Sequence, residues 1–361
     1  MKKEICLVTG GTGFIGSHMV ELLVKKGYRV KATSLTSAKR HSRNVEIIKA
    51  DLTKKNDVKK LFKDNTDIIF NSVGTFDFGL SYEKLYKTNV VTAKNLCEAA
   101  LNSNIKSFVH WSSVGVYAKP QAKKIKEDHP KKPHNAYGKT KLESEKIVLK
   151  YREENGLPVT IMRPALVYGP KSRYGHATFI AFLLLMREKL KTNKLPVPKG
   201  GDLLSFVNVY DVVNAALFLS KKKQAIGEAY NIVDDKPLSM ERFVLSLMKP
   251  LKLQPSSRIP LNKLEEFFIK MFASIAPNFV LNKINRRLGE DWKEVIKKYK
   301  LKAEIDLKLD KGWLDYFGSD FWYDNSKLKK LGYTFKYPDF RKGIAETTKW
   351  YEKNRWIPPI R

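Results

Sequence analysis

Apolar and polar positions along this chain fall into two alternating rhythms. Short apolar runs bounded by turn residues occur at 4–9, 29–34, 45–49, 67–71, 107–112 and 159–163, and each predicts a strand. Between them, apolar residues recur at helical spacing near 14–26, 55–63, 82–102 and 136–155. Alternation of this kind predicts an α/β fold, a doubly wound parallel sheet with helices on both faces. After Pro164 the pattern loosens. A helix is expected at 178–190, a return to the sheet at 205–209, a helix at 210–220 and a strand at 228–233. Residues 236–315 read as a second, mostly helical region with a long apolar segment at 264–284, and a last helix spans about 340–354. The expected division is a nucleotide-binding domain of 1–165 plus about 205–235, a substrate region of about 166–204 and 236–330, and a C-terminal helix and tail at 331–361.

The first strand run, Ile5-Cys6-Leu7-Val8, leads straight into Thr9-Gly10-Gly11-Thr12-Gly13-Phe14-Ile15-Gly16 and then into the helix pattern of Met19 to Val24. Glycines at 10, 13 and 16 permit a tight turn and let the backbone approach a pyrophosphate, which the free N–H groups of the helix start then face. The loop sits between a strand and a helix, the context in which such glycines hold a dinucleotide. It lacks the Gly-Lys-Ser/Thr ending of a mononucleotide loop. The sheet is therefore expected to be of the Rossmann type.

The chain has 361 residues, enough for one large domain and a smaller one. Lys and Arg outnumber Asp and Glu by 68 to 37, a net charge of +31. The excess is scattered, with no basic tail and no zinc-finger spacing, so it reads as solvated surface and not as a specific nucleic-acid site. Cys6 and Cys97 both fall in core segments, which points to reduced thiols and a cytoplasmic setting. No window has the ~18 uninterrupted apolar residues of a spanning helix, and the short apolar run after Lys2-Lys3-Glu4, which turns into the glycine loop, is expected to be a strand and not a leader sequence.

Tyr137 and Lys141 lie four residues apart at the start of a helix, so both side chains project from one face. A free tyrosine titrates near ~10, and a neighbouring ammonium is expected to lower that value so that the phenol can exchange a proton. Alone, the spacing is common on helix surfaces. Here a buried strand, Ser107 to Trp111, ends in Ser112 and Ser113, and Ser113 can hydrogen-bond the oxygen whose proton the tyrosine handles.

With these residues in place the chain resembles the extended short-chain dehydrogenase/reductases, the superfamily of nucleotide-sugar epimerases and 3β-hydroxysteroid dehydrogenases. Thr9 to Gly16 looks like that superfamily's glycine loop, Asp51-Leu52 like its adenine-contacting dipeptide, and Asn89 to Leu96 like its Asn-Val-x-Gly-Thr-x-Asn helix. Asn71-Ser72-Val73-Gly74 stands in the fourth-strand turn but departs from the usual His-x-Ala-Ala. Arg163-Pro164 to Pro170, Gly227 to Ile232 and Asp324 to Leu328 resemble later landmarks. The resemblance implies catalytic roles for Ser113, Tyr137 and Lys141. It implies cofactor contacts for Gly10, Thr12, Gly13, Phe14, Ile15, Gly16, Ser34, Arg40, Asp51, Leu52, Ser72, Val73, Gly74, Asn89, Tyr137, Lys141 and Pro164. Asn89 would support the site from behind.

Departures from the superfamily pattern narrow the expected substrate. Dehydratases carry an Asp-Glu pair after the catalytic hydroxyl, and here those positions are Val114 and Gly115. Epimerases place polar anchors for a diphosphate where this chain has Leu166 and Leu204. The resemblance is nearest the 3β-hydroxysteroid dehydrogenase-like branch, which implies a secondary alcohol or ketone on a fairly apolar molecule, with a nucleotide-sugar 4-epimerase as the alternative. Phe267, Phe268, Met271, Phe272 and Ile275 follow near-helical spacing among lysines, which suits either an interfacial helix at a membrane or ordinary core packing. No carboxylate lies between Gly27 and Arg43, while Ser34, Thr36, Lys39 and Arg40 offer hydroxyls and positive charge, so NADP is favoured slightly over NAD. A homodimer through the helices at 82–102 and 136–155 is a further implication of the resemblance.

Overall fold

The computed structural model describes residues 3–36, 44–75, 80–117, 124–260, 278–309 and 319–360. Its first half runs β1 (Ile5–Thr9), α1 (Phe14–Lys25), β2 (Arg29–Ser34), β3 (Val45–Lys49), α2 (Lys55–Lys60) and β4 (Ile68–Asn71). There follow α3 (Tyr82–Tyr86), a π-helical turn (Lys87–Val91), α4 (Thr92–Ala100), β5 (Ser107–Trp111), α5 (Ala136–Asn155) and β6 (Val159–Pro164). The second half holds β7 (Leu166–Tyr168), α6 (His176–Leu190), β8 (Lys194–Lys199), β9 (Leu203–Leu204), β10 (Phe206–Asn208), α7 (Val209–Leu219), β11 (Ala229–Ile232) and β12 (Leu238–Ser239). It ends with α8 (Met240–Met248), β13 (Gln254–Pro260), α9 (Asn278–Tyr299), α10 (Ser326–Lys330) and α11 (Phe340–Lys353).

Seven parallel strands form the main sheet in the order β11-β6-β5-β4-β1-β2-β3, the doubly wound arrangement the sequence predicts. Successive side chains of a strand point to opposite faces. Cys6 and Val8 thus join Met19 and Leu23 of α1 and Val212 and Ala216 of α7 on one face. Leu7 points the other way and packs with Leu96 and Cys97 of α4 and Val148 of α5. Both cysteines are buried free thiols, and burial pushes both well above the usual thiol range. The chain leaves β1 and β4 toward opposite faces, so a crevice opens between their carboxyl ends.

A separate core fills the second half. Phe206 stacks on Phe243 at 5.0 Å between ring centres and meets Phe340 at 4.5 Å. Tyr351, Trp356 and Ile357 of the C-terminal segment belong to the same cluster.

One expectation is corrected. Residues 206–208 do not return to the main sheet. They pair in parallel with β7 in a separate two-stranded ladder, because β11 already occupies the free edge of β6, with Ala229–Ile232 registered against Ile161–Pro164. The described part of the region after 236 is mostly helical, as expected, and also holds β13, a strand the sequence did not suggest. Gln254–Pro260 forms a strand against β8, with a register irregularity between Pro255 and Arg258. Its exposed, polar sequence carries no apolar rhythm from which pairing could be read. Arg40, Lys39 and most of the apolar segment at 264–284, including Phe267 to Ile275, lie outside the described residues. Among the described residues no helix is long and apolar enough to cross a membrane.

Candidate active site

The glycine loop connects β1 to α1 with geometry that side chains would prevent. Gly10 has φ +64°, and a Cβ on Gly16 would lie 2.1 Å from the Gly10 carbonyl oxygen. The loop is closed by Gly10 N–H donating to Thr33 Oγ1 at 3.0 Å and Gly11 N–H donating to the Thr33 carbonyl at 2.9 Å. The first N–H groups of α1 have no intrahelical partner. No side chain caps them and no acidic residue sits in the first turn. Their positive dipole end is therefore left for an anion.

One cavity of about 440 Å³ runs from this loop across the carboxyl edge of the sheet. Gly10, Thr12, Gly13, Phe14, Ile15, Gly16, Ser34, Asp51, Leu52, Ser72, Val73, Gly74, Ser113, Tyr137, Lys141 and Pro164 all line it. Residues from seven separate segments of the sequence thus meet at one surface. Ser34 accepts a hydrogen bond from Thr12 Oγ1 at 3.2 Å, which ties the end of β2 to the loop. Asp51 accepts from the Thr53 hydroxyl and N–H at 2.7 and 3.0 Å. Ser72 donates to the Thr9 carbonyl at 2.7 Å, fixing the turn after β4 beside the loop. The glycine cradle, the free helix start and the Asp51 and Ser34 flanks fit a dinucleotide stretched along the crevice.

At the far end stand Ser113, Tyr137 and Lys141. Asn135 caps α5 by accepting from Gly138 N–H at 2.8 Å, so the helix begins where Tyr137 can face the cavity. Tyr137 is hydrogen-bonded to Ser113, whose Oγ also accepts from Gly115 N–H at 3.0 Å. Lys141 is buried and donates to the Trp111 carbonyl at 2.9 Å. Its space depends on Gly74, where a Cβ would lie 2.8 Å from the Lys141 Nζ. Asn89 lies behind the cavity on the π-helical turn. It accepts from Thr75 N–H at 3.1 Å and donates to Thr140 Oγ1 at 3.0 Å, bridging the β4 turn to α5.

The expected lowering of the phenol is overturned by burial, which pushes Tyr137 up to about 12 while the Ser113 hydrogen bond pulls the other way. Burial also lowers Lys141 to about 8, opposed by the negative charge of Glu145. Glu145 is itself engaged by buried Arg163 through two hydrogen bonds of 2.8 Å. The lysine therefore has a carboxylate nearby but no ion pair with it.

Val114 lines the cavity, and a Cβ at Gly115 would sit 3.4 Å from Ser113 Oγ and 3.7 Å from the Tyr137 ring. The Gly115 position therefore faces the phenol, Val114 lines the same cavity, and neither brings a carboxylate there.

The sequence of this chain matches the family model described as "NAD dependent epimerase/dehydratase family" over residues 6–233. The chain belongs to that family. Within the family it is an extended short-chain dehydrogenase/reductase, an oxidoreductase type that uses a nicotinamide nucleotide. It is 27% identical over 364 residues to human dTDP-D-glucose 4,6-dehydratase, covering 96% of this chain and 90% of the relative. It is 28% identical over 268 residues to a Bos taurus sterol-4-alpha-carboxylate 3-dehydrogenase, covering 72% and 73%. Among solved structures, a Thermotoga maritima UDP-glucose 4-epimerase shares the fold with a TM-score of 0.70 at 21% identity, covering 97% of this chain and 99% of that one.

The cavity lining also includes Leu166, Tyr168, Tyr174 and Phe206. Leu166 faces the cavity as the sequence comparison supposed. Leu204 does not: it is buried in the second core, where β9 pairs with β12. Sequence reasoning missed Tyr174, whose ring meets Phe14 of the glycine loop edge-on at 6.2 Å, and Thr33, which holds the loop. No spacing marks either residue. The buried histidine of β5, His110, is a signal that could have been followed.

Proposed function

We propose that this enzyme interconverts a secondary alcohol and a ketone on a relatively apolar small molecule of sterol-, terpenoid- or acyl-like character, with Tyr137 as the general acid/base. One observation carries the reading. The hydrogen-bonded Ser113 and Tyr137 adjoin Val114 and Gly115, in a cavity whose lining also includes the apolar side chains of Leu166, Tyr174 and Phe206. Elimination of water needs a carboxylate beside the hydroxyl, and a diphosphate needs charged or polar anchors. The apolar wall favours neither. The Bos taurus relative, by its name, is a sterol dehydrogenase, which agrees with an apolar substrate.

When bound, the nicotinamide nucleotide supplies the hydride for the carbonyl carbon. Ser113 Oγ orients the carbonyl oxygen. Tyr137 donates its phenolic proton to that oxygen as the carbon–oxygen π bond breaks, and the phenolate regains a proton from water. A phenol held up at about 12 is in the protonated form this direction requires. Lys141, one turn further along the same helix and lining the same cavity, would stabilise the phenolate that forms. We also favour NADP over NAD, because among the described residues the end of β2 presents Ser34 and Thr36 to the cavity and no carboxylate.

The test is titration of the protein with NADPH and NADH, followed by assay of nucleotide oxidation with decalone and acetophenone and of conversion of UDP-glucose. Tighter NADPH binding and ketone reduction are expected. Copurified NAD together with epimerised UDP-glucose would establish the 4-epimerase instead.

A further inference from the structure

Beneath the floor of the cavity a line of buried polar side chains crosses the sheet. Val73 N–H donates to Thr9 Oγ1 at 3.2 Å, and Thr9 Oγ1 donates to Asn71 Oδ1 at 2.7 Å. Asn71 Nδ2 lies 3.0 Å from His110 Nδ1, and His110 Nε2 lies 3.0 Å from Ser144 Oγ. Ser144 Oγ donates to the Lys141 carbonyl at 2.8 Å. Thr9, Asn71, His110 and Ser144 are all at most 1% exposed.

Proton counting gives the line one direction. The Thr9 proton goes to the Asn71 oxygen, so the Asn71 NH₂ faces His110 and Nδ1 accepts. The Ser144 proton goes to the Lys141 carbonyl, so Nε2 carries the imidazole proton and donates to Ser144. The imidazole must be neutral, and burial next to the Lys141 ammonium keeps it so by lowering it to about 3. The next residue, Trp111, offers its carbonyl to the Lys141 Nζ. Two consecutive residues of β5 therefore hold Lys141 at both ends, backbone and ammonium.

An apolar side chain would fill the same place in β5 with less desolvation, and buried polar groups add little net stability. What the line adds is geometry. We propose that His110 is a positioning residue that registers helix α5, and with it Lys141 and Tyr137, against the nucleotide-binding turns after β1 and β4. The proposal rests on the acid/base reading of Tyr137 and Lys141 given above.

The test compares wild type with His110→Phe, which keeps bulk and removes both bonds, and His110→Gln, which keeps one donor and one acceptor. The readouts are NADH and NADPH affinity by quenching of tryptophan fluorescence, and kcat and KM with the best ketone at saturating nucleotide. In His110→Phe, kcat is expected to fall roughly tenfold to hundredfold with ketone KM within about twofold, and nucleotide affinity to fall several-fold. His110→Gln is expected to recover most of both losses. A folded His110→Phe with kcat and nucleotide affinity both within about twofold of wild type would overturn the proposal. If that variant does not fold, Ser144→Ala removes only the final hydroxyl; the same kcat-selective loss supports the proposal and unchanged kcat and affinity refute it. If wild type reduces no ketone, the acid/base reading fails by itself, and the nucleotide affinities of the variants still decide the role of His110.

Discussion

The two sides of the cavity are built differently. On the nucleotide side the wall is backbone and small polar groups: glycines at 10, 13 and 16, Thr12, Ser34 and Ser72, set by hydrogen bonds of 2.7–3.2 Å. Where β7 and β10 line it, the wall is Leu166, Tyr168 and Phe206, and the two rings belong to an aromatic cluster that reaches Phe243 and Phe340. The first kind of wall recognises phosphate and ribose, which every nicotinamide nucleotide carries. The second recognises shape and apolar area, which differ from substrate to substrate. The proposed catalytic residues, Ser113 just after β5 and Tyr137 and Lys141 on α5, line the same cavity.

The largest effect is expected where the two sides meet. Tyr137→Phe should lower ketone reduction by about 10²–10⁴-fold while NADPH binding, measured by fluorescence, stays near wild type. Lost binding together with lost turnover would show that the phenol belongs to the nucleotide side.

Next comes Phe340→Ala, which empties a fully buried site in the aromatic cluster. It should cost about 3–5 kcal/mol in chemical denaturation and leave nucleotide affinity nearly unchanged. A matched fall in affinity would mean that the two sides cannot be treated apart.

Gly16→Ala is the converse probe. Its Cβ would meet the Gly10 carbonyl at 2.1 Å, so the loop must shift. Nucleotide affinity should fall by roughly 1–3 kcal/mol, with a smaller change in melting temperature than Phe340→Ala gives.

The smallest effect is a pH dependence. Lys141 titrates at about 8 in the folded protein against an ordinary 10.5. Between those values the unfolded chain binds a proton that the folded chain does not, so stability rises with pH through this window. Tyr137, raised to about 12, works in the opposite direction above its ordinary value of 10.0. The raised thiols of Cys6 and Cys97 also oppose the lysine's rise above their ordinary value of 9.0, so denaturation midpoints should show that rise most cleanly between about pH 8 and 9, and Lys141→Met should remove it. An unchanged slope in that variant would place the titration elsewhere.

By itself the sequence determined the parallel sheet, the glycine loop and the Tyr137–Lys141 face of α5. Each is encoded locally, in apolar period, in residues that lack a Cβ, or in a four-residue step along one helix. Tertiary structure decided the rest. Whether 206–208 joins the main sheet depends on β11 having taken the edge of β6, some twenty residues later in the chain. Whether the phenol is raised or lowered depends on how deeply it is buried, and burial outweighed the hydrogen bond from Ser113. The line from Thr9 through Asn71 and His110 to Ser144 joins residues up to 135 positions apart. No periodicity records a contact between three strands and a helix, because such contacts are set by sheet order and register, which belong to the folded chain as a whole.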